Sequence, residues 1–397
     1  MKPVKKALIL GASHAQLPFI KKAVQEGYYL IVCSFTPNDP GIEFADEYCN
    51  ISTTDRESVL ALAKEKKIDV VLSHGSDSGA LTAAFVAEKL NLPGNPYRTV
   101  GMMTDKYLFR SFLKANGFNV PRFCSFTEAE FEGELETGLD FPVIVKPVDS
   151  SGGRGITRVK SADELARAAL LAFSYSASKT IIVEEVIETD HSQVHGNGFV
   201  ADGELLFSHL GDHQFSGLSN NIPVATTWPS RQPGHHISRI ESEVNRFIKV
   251  SGFRFGPVNI EARIDSSGDI FLIEVAPRSG VHFLTDLTFK GTGVDLTQQT
   301  FNYLNGVKID VQKRKSLYVA YYLIHSLAEG VFLEIEIQPA LKKHILDMKL
   351  YISIGDKITT YRDMNNSVGV IHFTFDNAEE MLNVIKSAGH QLNVVVG

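Results

Sequence analysis

The chain is short of cysteine, of long apolar runs and of clustered basic charge, and each shortage excludes a class of protein. Only three of its 397 residues are cysteine, namely Cys33, Cys49 and Cys124. Their wide spacing forms no metal or redox motif, so they read as small core residues in a reducing cytoplasm. No stretch approaches the ~18 apolar residues of a membrane span. The basic start Met-Lys-Pro-Val-Lys-Lys precedes an apolar run, Ala7 to Leu10, that is too short for a signal peptide. Net charge is −7 and no Lys/Arg run stands out, so neither nucleic acid nor membrane is expected as a partner. The phosphate-binding P-loop is also missing, because Gly-Lys-Ser/Thr occurs nowhere.

What is present is an apolar content of 44%, enough over this length for large cores in two or three domains. The first hundred residues alternate strand and helix. Strands are expected at Lys6–Leu10, Tyr29–Ser34 and Asp69–Ser73, with helices at His14–Glu26, Arg56–Lys66 and Ser78–Leu90. That rhythm implies a parallel sheet with helices on its faces. Gly11-Ala-Ser-His lacks the later glycines of a dinucleotide fingerprint and reads as a plain βα turn. Ser13, His14, Ser76 and Asp77 fall at the carboxyl ends of strands, where open α/β sheets bind ligands. Residues 211 to 236 form a long polar stretch, read as a loop covering an active site. The adjacent His235 and His236 within it converge poorly on one ion. Beyond Gly306, strands are expected at Tyr318–His325, Val370–Phe375 and Gln391–Val396, with a helix at Asn377–Ala388.

One segment places two carboxylates face to face. Asn259 to Asp265 and Ile270 to Ala276 both alternate with period two, and a Ser267-Gly268 pair lies between them, the pattern of an antiparallel hairpin. With those two residues as the turn centre, Asn259 opposes Ala276, Glu261 opposes Glu274, Ala262 opposes Ile273 and Ile264 opposes Phe271. Opposed side chains lie roughly 5 Å apart at Cβ, and like charges there are destabilising. A cation between Glu261 and Glu274 removes the conflict, and hard oxygen ligands suit Mg²⁺. The competing explanation is that Arg263 neutralises the pair on a solvated face.

Three further segments carry charge or glycine in a meaningful place. Phe141-Pro-Val-Ile-Val-Lys146-Pro reads as a buried strand ending in lysine. Ser150-Ser151-Gly152-Gly153-Arg154-Gly155 then joins it to a second strand, Ile156–Val159. Such a loop can lay N–H groups over phosphate, and Lys146 adds a point charge. Thr180-Ile-Ile-Val-Glu184-Glu185-Val186-Ile is an apolar strand closing in two acids. Thr104 to Asn116 reads as an amphipathic helix, with Lys106 near its start and Gly117 as its stop.

In this order the four segments resemble the ATP-grasp superfamily over roughly residues 5 to 305, and in particular its carboxylate–amine or –thiol ligases. The resemblance implies an α/β and α+β chain. A parallel pre-ATP-grasp domain would cover residues 1–100, and linker helices with the small lobe 101–190. The large lobe and a C-terminal subdomain would cover 191–397. It implies ATP and Mg²⁺ as cofactors, with Mn²⁺ as an alternative ion. By the same resemblance Lys106 and Lys146 contact phosphates under the loop that holds Ser151, Gly152, Gly153 and Gly155. Glu184 and the backbone at Glu185 and Val186 hold adenine, Glu261 and Glu274 bridge Mg²⁺, and Arg278 lies by the transferred phosphoryl. The family's usual Glu-x-Asn-Pro-Arg is here Glu274-Val-Ala276-Pro-Arg278, which lacks a commonly metal-bound asparagine. The expected register offers Asn259, opposite Ala276, as the replacement. The ribose contact, sought between Asp190 and His195, has no clear candidate.

The implied chemistry is phosphorylation of a carboxylate to an acylphosphate, with ADP released, followed by attack of an amine. Substrates would be a small carboxylate and an amine, most like amino acids, with a homodimer left open. Two alternatives remain: a carbamoyl-phosphate synthase-like or purine-pathway enzyme that activates bicarbonate or formate, and a nucleotide-binding regulator that has lost catalysis.

Overall fold

The computed structural model describes residues 4–189, 191–215 and 222–397. At its amino end β1 (Lys6–Leu10), β2 (Tyr29–Cys33), β3 (Glu47–Cys49) and β4 (Val70–Ser73) form a parallel sheet in the order β3-β2-β1-β4. The central strands are nearly continuous apolar runs, as a sheet covered on both faces requires. Helices α2 (Arg56–Lys66) and α3 (Asp77–Leu90) bury Val59, Leu60, Val86 and Ala87 against one face. Helix α1 (Leu17–Gln25) buries Phe19, Ile20 and Ala23 against the other. The βαβ expectation therefore holds, and the Arg56–Lys66 helix matches its boundaries because Asp55 caps it by accepting from the Ser58 N–H.

The helix expected over 104–116 is α5 (Lys106–Ala115), and a further helix, α4 (Tyr97–Thr104), precedes it. Asp105 between them is extended, which lets its carboxylate accept from the Leu108 N–H at 2.8 Å and start a new helix. Lys106 is thereby the first residue of α5. An antiparallel small-lobe sheet follows, made of β5 (Phe123–Thr127), β6 (Val143–Pro147), β7 (Thr157–Val159) and β8 (Thr180–Glu185). Its order is β5-β8-β6-β7. Helix α6 (Ala162–Tyr175) covers it through Leu165, Ala169 and Phe173.

The remaining strands are β9 (Val194–Ala201), β10 (Glu204–Phe215), β11 (Pro223–Trp228), β12 (Gly256–Ile264), β13 (Ile270–Ala276), β14 (Tyr318–Ile324), β15 (Gly330–Ile337), β16 (Ile345–Leu350), β17 (Lys357–Ile358), β18 (Gly369–Phe375) and β19 (Leu392–Val396). Eight of them make one large sheet, β13-β12-β9-β10-β11-β14-β18-β16, so carboxyl-terminal strands extend the sheet that carries the carboxylate hairpin. Helix α7 (Gly234–Ser251) packs Ile240, Val244 and Phe247 onto that sheet. No helix among the described residues is long and apolar enough to cross a membrane.

Two sequence expectations are corrected. The stretch 211–236 is not a loop: it closes β10, contains β11 and opens α7, and residues 216–221 lie outside the described residues. Its buried polar side chains in the sheet include Asp212, His213, Thr226 and Thr227, and they are paired. His213 Nδ1 lies 2.6 Å from Thr226 Oγ1, and the Asp212 carboxylate accepts from the Ser230 hydroxyl and the Arg231 N–H, both at 2.7 Å. A strand stabilised this way shows no apolar alternation.

The hairpin register holds only at its far end. Asn259 opposes Ala276, Ile260 opposes Val275 and Glu261 opposes Glu274, but then a bulge shifts the pairing. Ala262 faces Leu272, Ile264 faces Ile270, and Ile273 is the extra residue. The core face of β13 is therefore Ile270, Leu272 and Val275, with Phe271 and Ile273 only half-buried. The turn is wider than a Ser-Gly pair, because the Asp265 carboxylate accepts from the Ser267 and Asp269 N–H groups.

Candidate active site

The deepest charge cluster is built from three elements. Lys146 lies one residue before the end of β6, Glu184 lies on β8, and Arg110 projects from α5. Lys146 Nζ is 2.5 Å from one Glu184 oxygen and Arg110 Nε is 2.6 Å from the other, with all three side chains buried. Burial would raise the Glu184 carboxyl, but the two cations outweigh it and hold the group down to about 2. Burial also pulls Lys146 below the usual lysine range, with Glu184 opposing.

Arg110 is a residue that motif reading missed. Its guanidinium also donates to the Leu272 and Ile273 carbonyls at 3.2 and 3.0 Å, the place where the bulge breaks the ladder. One side chain thus fastens α5 and the small lobe to the hairpin. A signal existed: positions 106, 109, 110 and 113 share a helix face, and Phe109 and Leu113 are core.

Lys106 donates from its backbone N–H to the Val148 carbonyl and from Nζ to the Ser150 carbonyl. It therefore sits under the start of the glycine-rich loop. Gly152, Gly153 and Gly155 all have φ between +69° and +80°, a conformation costly for side chains with Cβ. The Gly152 carbonyl accepts from the Met364 N–H at 3.2 Å, so the carboxyl-terminal lobe touches this loop. Ser151 is exposed on it. At the end of β8 the Glu185 N–H goes to the Arg122 carbonyl and the Val186 N–H to the Pro142 carbonyl.

Across from this cluster Glu261 and Glu274 stand directly opposed on β12 and β13. Burial and the neighbouring Glu274 raise the Glu261 carboxyl to about 7, while Arg278, Lys146 and Lys106 oppose the shift. Those opposing cations come from three segments, which puts both lobes on one charged centre. Arg263 does not neutralise the pair: it donates to Gln193 Oε1 at 3.0 Å, and Gln193 donates to Glu261 at 2.7 Å. Arg278 is nearer, 3.6 Å from Glu274, but its fork is engaged by both Asp77 oxygens at 2.8 and 3.1 Å. Burial works against its charge, and Asp77, Glu274 and Glu261 together hold it firmly protonated.

Asp77 opens α3 at the carboxyl end of β4, so the amino-terminal sheet joins the site as the strand-end rule implies. Beside it, Ser279 Oγ lies within hydrogen-bond distance of the His74 ring. His14, from the end of β1, meets Tyr351 with ring centroids 5.8 Å apart. Asn259 is buried opposite Ala276, and its Oδ1 lies 2.9 Å from His195 Nε2. His235 and His236 sit at the start of α7 with their rings together, apart from the carboxylates. Of the ribose stretch, Asp190 lies outside the described residues.

Two carboxylates with lysines, an arginine and a glycine loop around them form a donor set suited to a hard divalent cation on a polyphosphate. Comparison with known proteins agrees. Residues 139–286 match the family model described as "ATP-grasp domain". The carbamoyl phosphate synthase large chain of Thermotoga neapolitana is 24% identical over 64% of this chain and 23% of its own length. This chain thus spans about a quarter of that relative. Among solved structures, an L-amino acid ligase from Bacillus licheniformis covers 100% of both chains, with a TM-score of 0.81 and 22% identity. The biotin carboxylase domain of Hydrogenobacter thermophilus 2-oxoglutarate carboxylase, solved with Mg-ADP, ADP and bicarbonate, covers 99% of this chain and 91% of its own. There the TM-score is 0.75 and the identity 16%. Residues 139–286 are therefore similar to an ATP-grasp domain, and the whole chain shares the fold of these two solved structures.

Proposed function

We propose that the chain is an ADP-forming ligase that activates a carboxylate with ATP and joins it to an amine, an amino acid or a close analogue. The observation that carries this is the opposed pair Glu261–Glu274, a like-charged arrangement that lacks a structural benefit unless a cation bridges it. Bound there, Mg²⁺ would offset charge on the β- and γ-oxygens of ATP. Mn²⁺ has the same oxygen preference. On this proposal Lys106 and Lys146 hold phosphate oxygens, the 150–155 loop covers them with N–H groups, and Glu184 to Val186 border the adenine. Arg278 exchanges Asp77 for the substrate carboxylate or the transferred phosphoryl, both of which fit its fork. Asn259 is the one amide on the hairpin face that can stand in for the asparagine missing at Ala276.

The Mg-ADP bound by the biotin carboxylase and the amino-acid chemistry named for the Bacillus ligase support this assignment. The carbamoyl phosphate synthase likeness supports a second reading, in which bicarbonate is the activated group. The test is incubation with ATP, Mg²⁺ and pools of amino acids, or with bicarbonate and ammonia, with ADP and phosphate measured. Release of ADP and phosphate that depends on an amino-acid pool supports the ligase. AMP release breaks the acylphosphate route. ATP binding without turnover across all pools points to a regulator.

A further inference from the structure

The carboxylate row does not stop at Glu261. On β9, the strand next to β12, His195 lies directly opposite Glu261, so Glu274, Glu261 and His195 stand in register on three adjacent strands. The next strand contributes Gly211 to that row, where a Cβ would strike the Thr227 carbonyl and the Trp228 ring. Two residues on, His213 lays its ring over His195, with centroids 4.3 Å apart and planes 14° from parallel. One imidazole nitrogen of each histidine and one Glu261 oxygen all lie within 4.8 Å of one another.

Both rings are already aimed by a second partner. His195 Nε2 meets Asn259 Oδ1 at 2.9 Å, and His213 Nδ1 meets Thr226 Oγ1 at 2.6 Å. Such an orienting bond on one nitrogen is what metal-binding imidazoles use to present the other, and because imidazole donates in its ring plane, one of the two stacked rings turns to share an ion. The second nitrogen of His195, Nδ1, is buried and has no hydrogen-bond partner among the described residues. An unpartnered polar atom in a buried site is destabilising, so a ligand there is favoured. Other buried histidines are held differently: His209 stacks on Trp228, and His372 pairs with the His282 carbonyl.

We propose that His195, His213 and Glu261 bind one divalent transition ion of the Zn²⁺ or Co²⁺ type. This site is distinct from the all-oxygen clamp of Glu261 with Glu274. Two imidazoles and one carboxylate select such ions, whereas Mg²⁺ and Ca²⁺ favour oxygen alone. Glu261 belongs to both sites, so the transition ion competes with the Mg²⁺–nucleotide complex for its carboxylate. The inference does not need the ligase assignment, because it concerns the nucleotide-free chain.

The test uses the full chain stripped of metal and free of nucleotide, titrated with Co²⁺ and followed by visible absorption and calorimetry. One Co²⁺ per chain is expected. His195→Gln and His213→Gln should each weaken its binding by at least about tenfold, while Glu274→Gln should not weaken it. X-ray absorption of the wild-type chain loaded with Zn²⁺ should show imidazole scattering, a readout that requires no variant to fold. Absence of Co²⁺ binding, wild-type affinity in both histidine variants, loss in Glu274→Gln alone, or a Zn²⁺ shell without imidazole would each overturn the proposal. Mg-ADP binding measured in parallel bears on the ligase assignment alone.

Discussion

The cluster around Glu184 and the pair Glu261–Glu274 are both acidic sites in the cleft between lobes, yet they carry opposite charge balances. Glu184 is ion-paired with both Arg110 and Lys146, so the small lobe is internally paired and left with one surplus positive charge. Glu261 has Gln193 and a like-charged neighbour, and the arginine nearest Glu274 is already shared with Asp77. The first cluster is complete for its carboxylate and keeps only a positive charge to spare. The second keeps a surplus of negative charge, which a cation or a proton would offset. A paired carboxylate contributes to the fold, whereas an unpaired one is a candidate ligand.

Breaking the complete cluster should have the largest effect on stability. Glu184→Gln strands two buried cations, and removing one member of such a network costs roughly 3–5 kcal/mol. Urea unfolding should show this as a large fall in midpoint. An unchanged midpoint would mean that the cluster is not desolvated in solution.

The incomplete pair should respond in the opposite sense. Glu261→Gln relieves repulsion, so the unfolding midpoint should stay level or rise. ATP turnover should fall by about 10²- to 10³-fold, the usual loss for one electrostatic partner. Equal turnover at saturating Mg²⁺ would remove the metal assignment.

Asp77→Asn tests the bridge between the amino-terminal sheet and Arg278. Losing its charged hydrogen bonds should cost about 1.5–3 kcal/mol of stability. It should also raise the affinity of Arg278 for an anionic substrate, read as a lower KM.

The smallest expected effect is on pH dependence. The Glu261 carboxyl is raised from 4.5 to about 7 in the fold, by burial and then by Glu274. The folded chain therefore holds this proton more tightly than the unfolded one. The stability linked to it is present below pH 4.5 and is lost as pH rises towards 7. Without metal, the difference in unfolding midpoint between wild type and Glu261→Gln should be greater at pH 8 than at pH 5. Saturating Mg²⁺ should reduce that difference.

Local patterns made much of the architecture legible. The β1 and α2 boundaries and the opposition of Glu261 to Glu274 follow from apolar runs, one N-cap and period-two alternation. The bulge at Ile273 was not legible, because the carbonyls it frees are met by Arg110, a side chain from 162 positions earlier that engages the Leu272 carbonyl. Nor was the β10–β11 segment, whose strands are filled by paired polar groups such as His213 and Thr226. Apolar alternation reports burial by hydrophobicity and is silent when burial is achieved through hydrogen bonds.

The sequence alone determined which residue types could do the chemistry: two lysines, a glycine loop, two glutamates and an arginine in a characteristic order. Tertiary structure decided which of those charges are already neutralised. Arg110 reaches Glu184 across 74 positions, and Asp77 reaches Arg278 across 201. The physical reason is that the ionisation and affinity of a charged side chain depend on how much water it loses and which charge stands within a few ångströms. Both quantities are set by chain segments far apart in sequence, and no spacing within a single motif encodes them.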